Sequence, residues 1–219
     1  MADTTVGLHL DAYLISAPEE DALVTALCQG VEEAFEILIQ RYQQPVYNLV
    51  CRLLNDPSDA ADIVQEVFLK VFRNVGSFRG NSSLKTWIYR IAVNEAYNHR
   101  RWFSRHHRQE VALGREDGLL AYADRVADPA PTPFDQAADH ETRALVEQAL
   151  EKVNPKFRAA VVLRDIEDLS YEEIAAVLEI SLGTVKSRIL RGREALRKVL
   201  EGRLELETGM SWASQPLTE

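Results

Sequence analysis

A chain of 219 residues with 46% hydrophobic residues and a net charge of -9 is long enough for one large or two small globular domains, and two small ones fit better. No apolar run approaches the ~20 residues of a membrane span, and the start MADTTVGLHLDAYLIS lacks the basic head and long apolar core of a signal peptide. A cytoplasmic protein without stable membrane insertion is therefore expected, with its two cysteines, Cys28 and Cys51, reduced and partly buried in helical patterns.

Residues 1–18 carry no clear pattern and read as a mobile N-terminal segment. From 19 to 102 the apolar residues recur at helical spacing. Leu23, Leu27 and Val31 form one short stripe. Phe35, Leu38, Ile39, Tyr42, Val46, Leu49, Val50 and Leu53 form a longer one, which Pro45 should divide into a helix ending near Gln43 and another starting at the proline. After the turn Asn55-Asp56-Pro57-Ser58, positions Ala60, Ile63, Val64, Val67, Val71, Phe72 and Val75 predict the buried face of a further helix. Its other face gathers Asp59, Asp62, Gln65 and Glu66 beside Phe68. Such a surface suits a basic protein partner, although charge alone favours a plain solvated face.

The loop GSFRGNSS, residues 76–83, precedes a helix predicted from Leu84 to Trp102. Along the loop and this helix lie Phe78, Arg79, Lys85, Tyr89, Arg90, Asn94, Tyr97, Asn98, Arg100, Arg101 and Trp102, a mixture of rings, amides and cations. Bases of an opened strand stack on rings while cations follow the backbone, so this is a plausible platform for single-stranded nucleic acid. Trp87 reads mainly as core. From 103 to 139 periodicity disappears, and Pro129, Pro131 and Pro133 stand among acids in what reads as a flexible linker. His106 and His107, beside Arg105 and Arg108 with no cysteine near, read as solvated rather than as zinc ligands.

Helical patterns resume over residues 140–202, with Asn154 as a cap and Pro155 at the first position of a helix. Ser170 with Glu173 forms a capping box for a short helix starting at Tyr171, and Ser181 caps another starting near Leu182. Two capped helices joined by so short a turn predict a helix-turn-helix. On the second helix Val185, Ile189, Gly192, Leu196 and Val199 share the inner side. Ser187, Leu190, Arg191 and Glu194 lie outside, with Lys186 at the edge. Lys186, Arg188, Arg191, Arg193, Arg197 and Lys198 give this helix the charge bias needed to approach phosphates. Residues 203–219 read as a tail. The chain has no nucleophile–base constellation, phosphate loop or metal set, so neither catalysis nor a cofactor is expected.

The stretches DAADIVQEVFLKVF, SFRGNSSLKTWIYRIAVNEAYNHRR and LSYEEIAAVLEISLGTVKSRILRGREALR together resemble the extracytoplasmic-function sigma factors of the sigma-70 family. The resemblance implies an all-α protein of two small helical domains, sigma domain 2 (19–102) and sigma domain 4 (140–202), joined by the flexible acidic linker. It implies core RNA polymerase as a partner for Asp59, Asp62, Gln65, Glu66 and Phe68, overriding the solvated reading of that face. Promoter DNA is implied as the second partner. Phe78, Arg79, Asn81, Ser82, Ser83, Lys85, Arg90 and Asn94 would serve the -10 element, and Thr184, Lys186, Ser187, Arg188, Leu190 and Arg191 the -35 element. An anti-sigma factor is implied as a third partner, and a stress or envelope-response regulon as the setting. Glu179 stands in the turn where the family often has glycine, and Leu190 where some relatives have an aromatic, so a promoter sequence does not transfer.

A stand-alone helix-turn-helix regulator is the alternative, with the N-terminal helices as a sensor or dimerisation domain. Two further expectations concern the free chain. Its net charge of -9 opposes autonomous DNA binding. A flexible segment of roughly 37 residues reaches ~35 Å on average, against ~70 Å for two helical turns of DNA. The two reading heads are therefore expected to have no fixed spacing.

Overall fold

The structure is a computed structural model that describes residues 17–54, 57–106 and 144–208. Most of the N-terminal segment, the linker with its prolines and His107, and the end of the tail lie outside the described residues. Among those residues the fold is all helical. The first unit contains α1 (Ala17–Cys28), α2 (Glu32–Leu53), α3 (Ala60–Asn74) and α4 (Leu84–His106), with 3-10 turns at Pro57–Asp59 and Val75–Ser77. Helices α2, α3 and α4 pack on one another around Leu38, Val46, Leu49, Val50, Val67, Val71, Leu84, Ile88 and Ala92, all fully buried. Each such Val, Leu or Ile side chain contributes about 1.5–3 kcal/mol relative to exposure.

Helix α1 adds Leu23 and Leu27 to this core and also fixes the start of α4. The Glu20 carboxylate accepts the Leu84 N–H at 2.6 Å, and Ser83 Oγ accepts the Thr86 N–H at 3.1 Å. A side-chain oxygen and a negative charge at a helix N-terminus satisfy orphan amides and complement the helix dipole.

Three expectations are corrected here. Pro45 does not divide α2, which runs unbroken from Glu32 to Leu53 with the proline inside it. The lost hydrogen bond to the Arg41 carbonyl is outweighed by burial of Tyr42, Val46, Leu49 and Val50 along one face, with Pro45 itself half-buried. Phe72 is not core: it is 61% exposed on the outer row of α3, while Val71 and Val75 take the inward positions at that end of the helix. Cys28 is exposed and its thiol donates to the Val75 carbonyl at 3.4 Å, while Cys51 is half-buried.

The second unit contains α5 (144–152), α6 (Pro155–Val161), a π-helical turn (Val162–Ile166), α7 (Tyr171–Leu178) and α8 (Leu182–Thr208). Its caps form as the residue pattern predicts. Asn154 accepts the Lys156 N–H at 3.1 Å ahead of α6. Ser170 Oγ accepts the Glu173 N–H at 3.2 Å while the Glu173 carboxylate accepts the Ser170 N–H at 2.8 Å. Ser181 Oγ accepts the Thr184 N–H at 3.3 Å. Helices α4 and α8 overrun their expected ends at Trp102 and Gly202 and reach His106 and Thr208. No proline stops either one, and a single glycine costs a helix only ~1 kcal/mol.

The expectation that the units have no fixed spacing does not hold in this structure, where they pack together through one continuous buried cluster. Helix α4 lies against α7, and α2 against α6. Linker length bounds how far two units can separate, whereas their surfaces decide whether they associate. Here those surfaces carry matched charges and hydrogen-bonding groups.

Candidate nucleic-acid and polymerase interfaces

The glycine-rich loop ahead of α4 turns at Gly80, whose φ of +68 favours glycine over any residue with a side chain. It folds Phe78 back onto Trp87, with ring centroids 5.3 Å apart and planes tilted by 50°. Trp87 is buried, as the core reading requires, while half-buried Phe78 keeps part of its ring accessible. Beside this pair is a cleft of about 210 Å³, lined by Phe78, Arg79, Asn81, Ser82, Trp87 and Arg90 among others. It is below the roughly 300–1,000 Å³ of sites for drug-sized ligands and suits a single planar group.

Five of the eight -10 candidates thus converge on one cleft. The other three do not. Asn94 is exposed and lines a neighbouring shallow cleft with Lys70, Asn74 and Glu95. Ser83 is used as the cap of α4, and its hydroxyl lies 2.8 Å from that of Thr86. The Lys85 ammonium lies over the Tyr89 ring, 5.3 Å from its centroid, and donates to the backbone carbonyl of Glu167 in the second unit at 3.0 Å.

In the helix-turn-helix, Val185 and Ile189 are buried on the inner side of α8. Gly192 lets its backbone approach α6, where an added Cβ would collide with Val161 Cγ2 and stand 3.0 Å from the Phe157 carbonyl oxygen. Glu179 makes the turn in left-handed conformation, φ 53, without being glycine. The outer face carries Lys186, Ser187, Leu190 and Arg191, all exposed, with Leu190 at 70%, while Thr184 and Arg188 are half-buried at its edges.

The cations of α8 fall into two groups. Arg193 pairs with Asp165, Arg197 with Glu201 and Lys198 with Glu194. Among the described residues, Lys186 and Arg191 have no such carboxylate partner. Matched charge stabilises the helix surface, whereas unmatched cations remain available to a polyanion.

On α3, Asp62 and Gln65 are exposed and Glu66 and Phe68 half-buried. Asp59 faces α4 instead and pairs with His99 at 3.3 Å. The exposed row continues through Leu69, at 40%, to Phe72, whose ring lies 4.9 Å from that of Phe35. The residue pattern had put Phe72 inside. The i, i+3, i+7, i+10 series Asp62, Gln65, Leu69 and Phe72 is the signal that would have placed it on this outer row.

A glycine-turned loop with stacked rings on one helical unit and a basic helix-turn-helix on the other are marks of a DNA-binding protein. Two family profiles match the chain, Sigma-70 region 2 over residues 38–105 and Sigma-70, region 4 over residues 143–196. It is 35% identical over 197 residues to the RNA polymerase sigma-H factor of Pseudomonas aeruginosa, covering 86% of this chain and 97% of the relative. It is 38% identical over 187 residues to the ECF RNA polymerase sigma-E factor of Escherichia coli K12, covering 81% of this chain and 92% of the relative. Among solved structures, CnrH in complex with the cytosolic domain of CnrY has the same fold, with a TM-score of 0.61, 22% identity and coverage of 84% of this chain and 97% of that one. The chain belongs to the sigma-70 family, in its extracytoplasmic-function group, and is a transcription initiation factor of that class.

Among the described residues, no helix is long and apolar enough to cross a membrane.

Proposed function

We propose that this protein recruits core RNA polymerase through the outer row of α3 and directs it to promoters by reading two elements. Asp62, Gln65, Glu66 and Phe68 make the polymerase contact, extended by Leu69 and Phe72, with Asp59 holding the end of the helix against His99. The loop and first turns of α4 take the opened -10 strand: Phe78 offers a ring, Asn81 and Ser82 offer hydrogen bonds, and Arg79, Lys85 and Arg90 offer charge to phosphates, with Ser83 anchoring the helix and Asn94 further along the path. Helix α8 enters the major groove at the -35 element through Lys186, Ser187, Leu190 and Arg191, flanked by Thr184 and Arg188. The factor acts in the cytoplasm on a stress or envelope-response regulon, and an anti-sigma factor covers the polymerase-binding and DNA-binding faces until the signal arrives.

The observation that carries this reading is the pairing of both family regions with an outer α8 face whose two central cations have no carboxylate partner. Reconstituted transcription tests it. Core polymerase with the purified protein should initiate only on promoters with intact -35 and -10 elements, and charge reversal at Asp62 and Glu66 should weaken polymerase binding while helicity is unchanged. Sequence-specific regulation by the protein without any affinity for polymerase would instead establish the stand-alone regulator.

A further inference from the structure

The loop assigned above to the -10 strand, residues 76–83, has both its ends tied to α1. At its start the Cys28 thiol donates to the Val75 carbonyl at 3.4 Å. The same carbonyl accepts the Phe78 N–H at 3.0 Å, so one oxygen anchors both α1 and the residue whose ring packs on Trp87. At the other end the Glu20 carboxylate accepts the Leu84 N–H at 2.6 Å, where α4 begins.

The two anchors are unequal. A carboxylate accepting an amide makes a charge-assisted hydrogen bond roughly twice as strong as a neutral one, whereas a thiol is a weak donor. Leu84 is fully buried, and its amide, in the first turn of α4, has no acceptor within the helix. Burial, with the charge of Glu20 added and Arg41 opposing, pushes the Tyr42 phenol of α2 up to about 12, so the Glu20 carboxylate lies beside the α2 core as well as α4.

A flexible loop does not set the spacing of its own ends. The segment from Gly76 to Ser83 could stretch to about 26–29 Å if fully extended. A helix is stiffer: Glu20 and Cys28 lie on the same α1, about 12 Å apart along its axis. Leu23 and Leu27, buried between them, fix α1 to the core. Helix α1 is therefore a spacer of set length across the mouth of the loop. The cleft between Phe78, Asn81 and Ser82 on the loop and Trp87 and Arg90 on α4 takes its width from that spacer.

We infer that α1 positions the -10-reading loop, with Glu20 as the principal positioning residue and Cys28 as the lesser one, so that discrimination at the -10 element depends on side chains outside the cleft. The inference rests on the assignment of this loop to the -10 strand. A loop that holds its reading geometry one time in ten binds the opened strand about tenfold more weakly, while the -35 element is read as before.

The test assembles each chain with core polymerase and compares initiation on a promoter that the parent uses with initiation on single-base variants of its two elements. The ratio of intact to substituted -10 should fall about tenfold in Glu20→Ala. It should fall roughly threefold in Glu20→Gln, which keeps an acceptor oxygen without the charge, and about twofold in Cys28→Ala. The corresponding -35 ratio should be unchanged in all three. Val46→Ala, in the core of α2, lowers stability without removing either bond and should leave both ratios at the parental value. Hydrogen exchange of the full chain should be faster at the Leu84 amide in Glu20→Ala. An unchanged -10 ratio in Glu20→Ala, an equal fall in Val46→Ala, or unchanged exchange at Leu84 would overturn the inference. Should Glu20→Ala not fold, Glu20→Gln decides by the same ratios. Failure of the functional reading looks different: polymerase carrying the parental chain would then initiate regardless of the -10 sequence, leaving no ratio to lose.

Discussion

Arg158 of α6 reaches across the boundary between the two units and donates to the backbone carbonyl of Leu54 at 3.2 Å. The side chain is 1% exposed, and its guanidinium also donates to the carbonyls of Glu151 and Val153, so one cation closes the C-terminal ends of α2 and α5 together. Burial lowers its pKa and nearby Arg100 lowers it further, against Glu151 and Tyr97, which raise it. The planar fork satisfies three carbonyls at once, which a lysine ammonium cannot match in geometry. Arg158→Ala should therefore cost about 3 kcal/mol in chemical denaturation, since it leaves buried acceptors unpaired. Arg158→Lys should recover less than half of that, and a loss below about 0.5 kcal/mol for the alanine variant would contradict the role.

Glu173 predicts how the fold responds to acid. Burial pushes its carboxyl up, but hydrogen bonds from the Ser170 backbone and side chain and from the Thr86 hydroxyl, with the charge of Lys85, outweigh burial and hold it below the ordinary 4.5. A lowered folded pKa means stabilisation that is present above the unfolded value and lost as pH falls through the folded one. Thermal midpoints of the parent should thus fall more steeply below about pH 4.5 than those of Glu173→Gln. Thr86 and Lys85 belong to the other unit, so acid loosens the α7 cap and the contact between units together. Parallel pH curves for the two proteins would remove Glu173 from this account.

Gly192→Ala separates two opposing effects. Alanine favours a helix over glycine by ~1 kcal/mol, but overpacking costs about 1–3 kcal/mol. The overpacking term should win, because one of the atoms in the way is the Phe157 backbone oxygen, which cannot rotate aside. Unfolding should show a net loss of about 1 kcal/mol, with weaker -35 binding to every sequence alike. A stabilised variant would show that α8 can shift away from α6 freely.

Among the cations of α8, matched and unmatched residues should behave differently. Lys186→Ala and Arg191→Ala should each weaken use of the -35 element by about 1–3 kcal/mol, read as promoter-dependent transcription across single-base variants of that element. Arg193→Ala breaks the ion pair with Asp165, which is partly exposed, and should cost no more than about 1 kcal/mol of stability without altering base preference. A change in base preference in the Arg193 variant would place that side chain in the groove.

Local signals were legible in the sequence and long-range ones were not. Ser170 with Glu173, Asn154 with Pro155, and Ser181 are caps whose partners lie within three residues, so residue spacing is enough to find them. The inner series Val185, Ile189 and Gly192 followed from helical periodicity for the same reason. Pro45 misled because a local rule was overridden by burial on α2 that only the assembled unit supplies. Phe72 misled because it is apolar yet lies on the outer row with Asp62, Gln65 and Leu69, while Val71 and Val75 complete the core at that end of α3, and an apolar side chain does not itself say which row it joins. The contact between units depends on partners 78 to 104 positions apart, Tyr89 with Glu167 and Arg158 with Leu54, and no spacing rule connects them.

The bare backbone of Gly192 lets α6 set how deeply α8 is seated, while Lys186, Ser187, Leu190 and Arg191 point outward and touch none of that seat. On the proposed reading, depth and address are thereby held by different residues. If the outward four read the promoter as proposed, descendants of this gene can exchange them and acquire new promoters without re-evolving a fold, and a duplicated copy can diverge into a separate regulon by a handful of substitutions. The same division makes the helix a practical starting point for building transcription circuits that do not cross-talk.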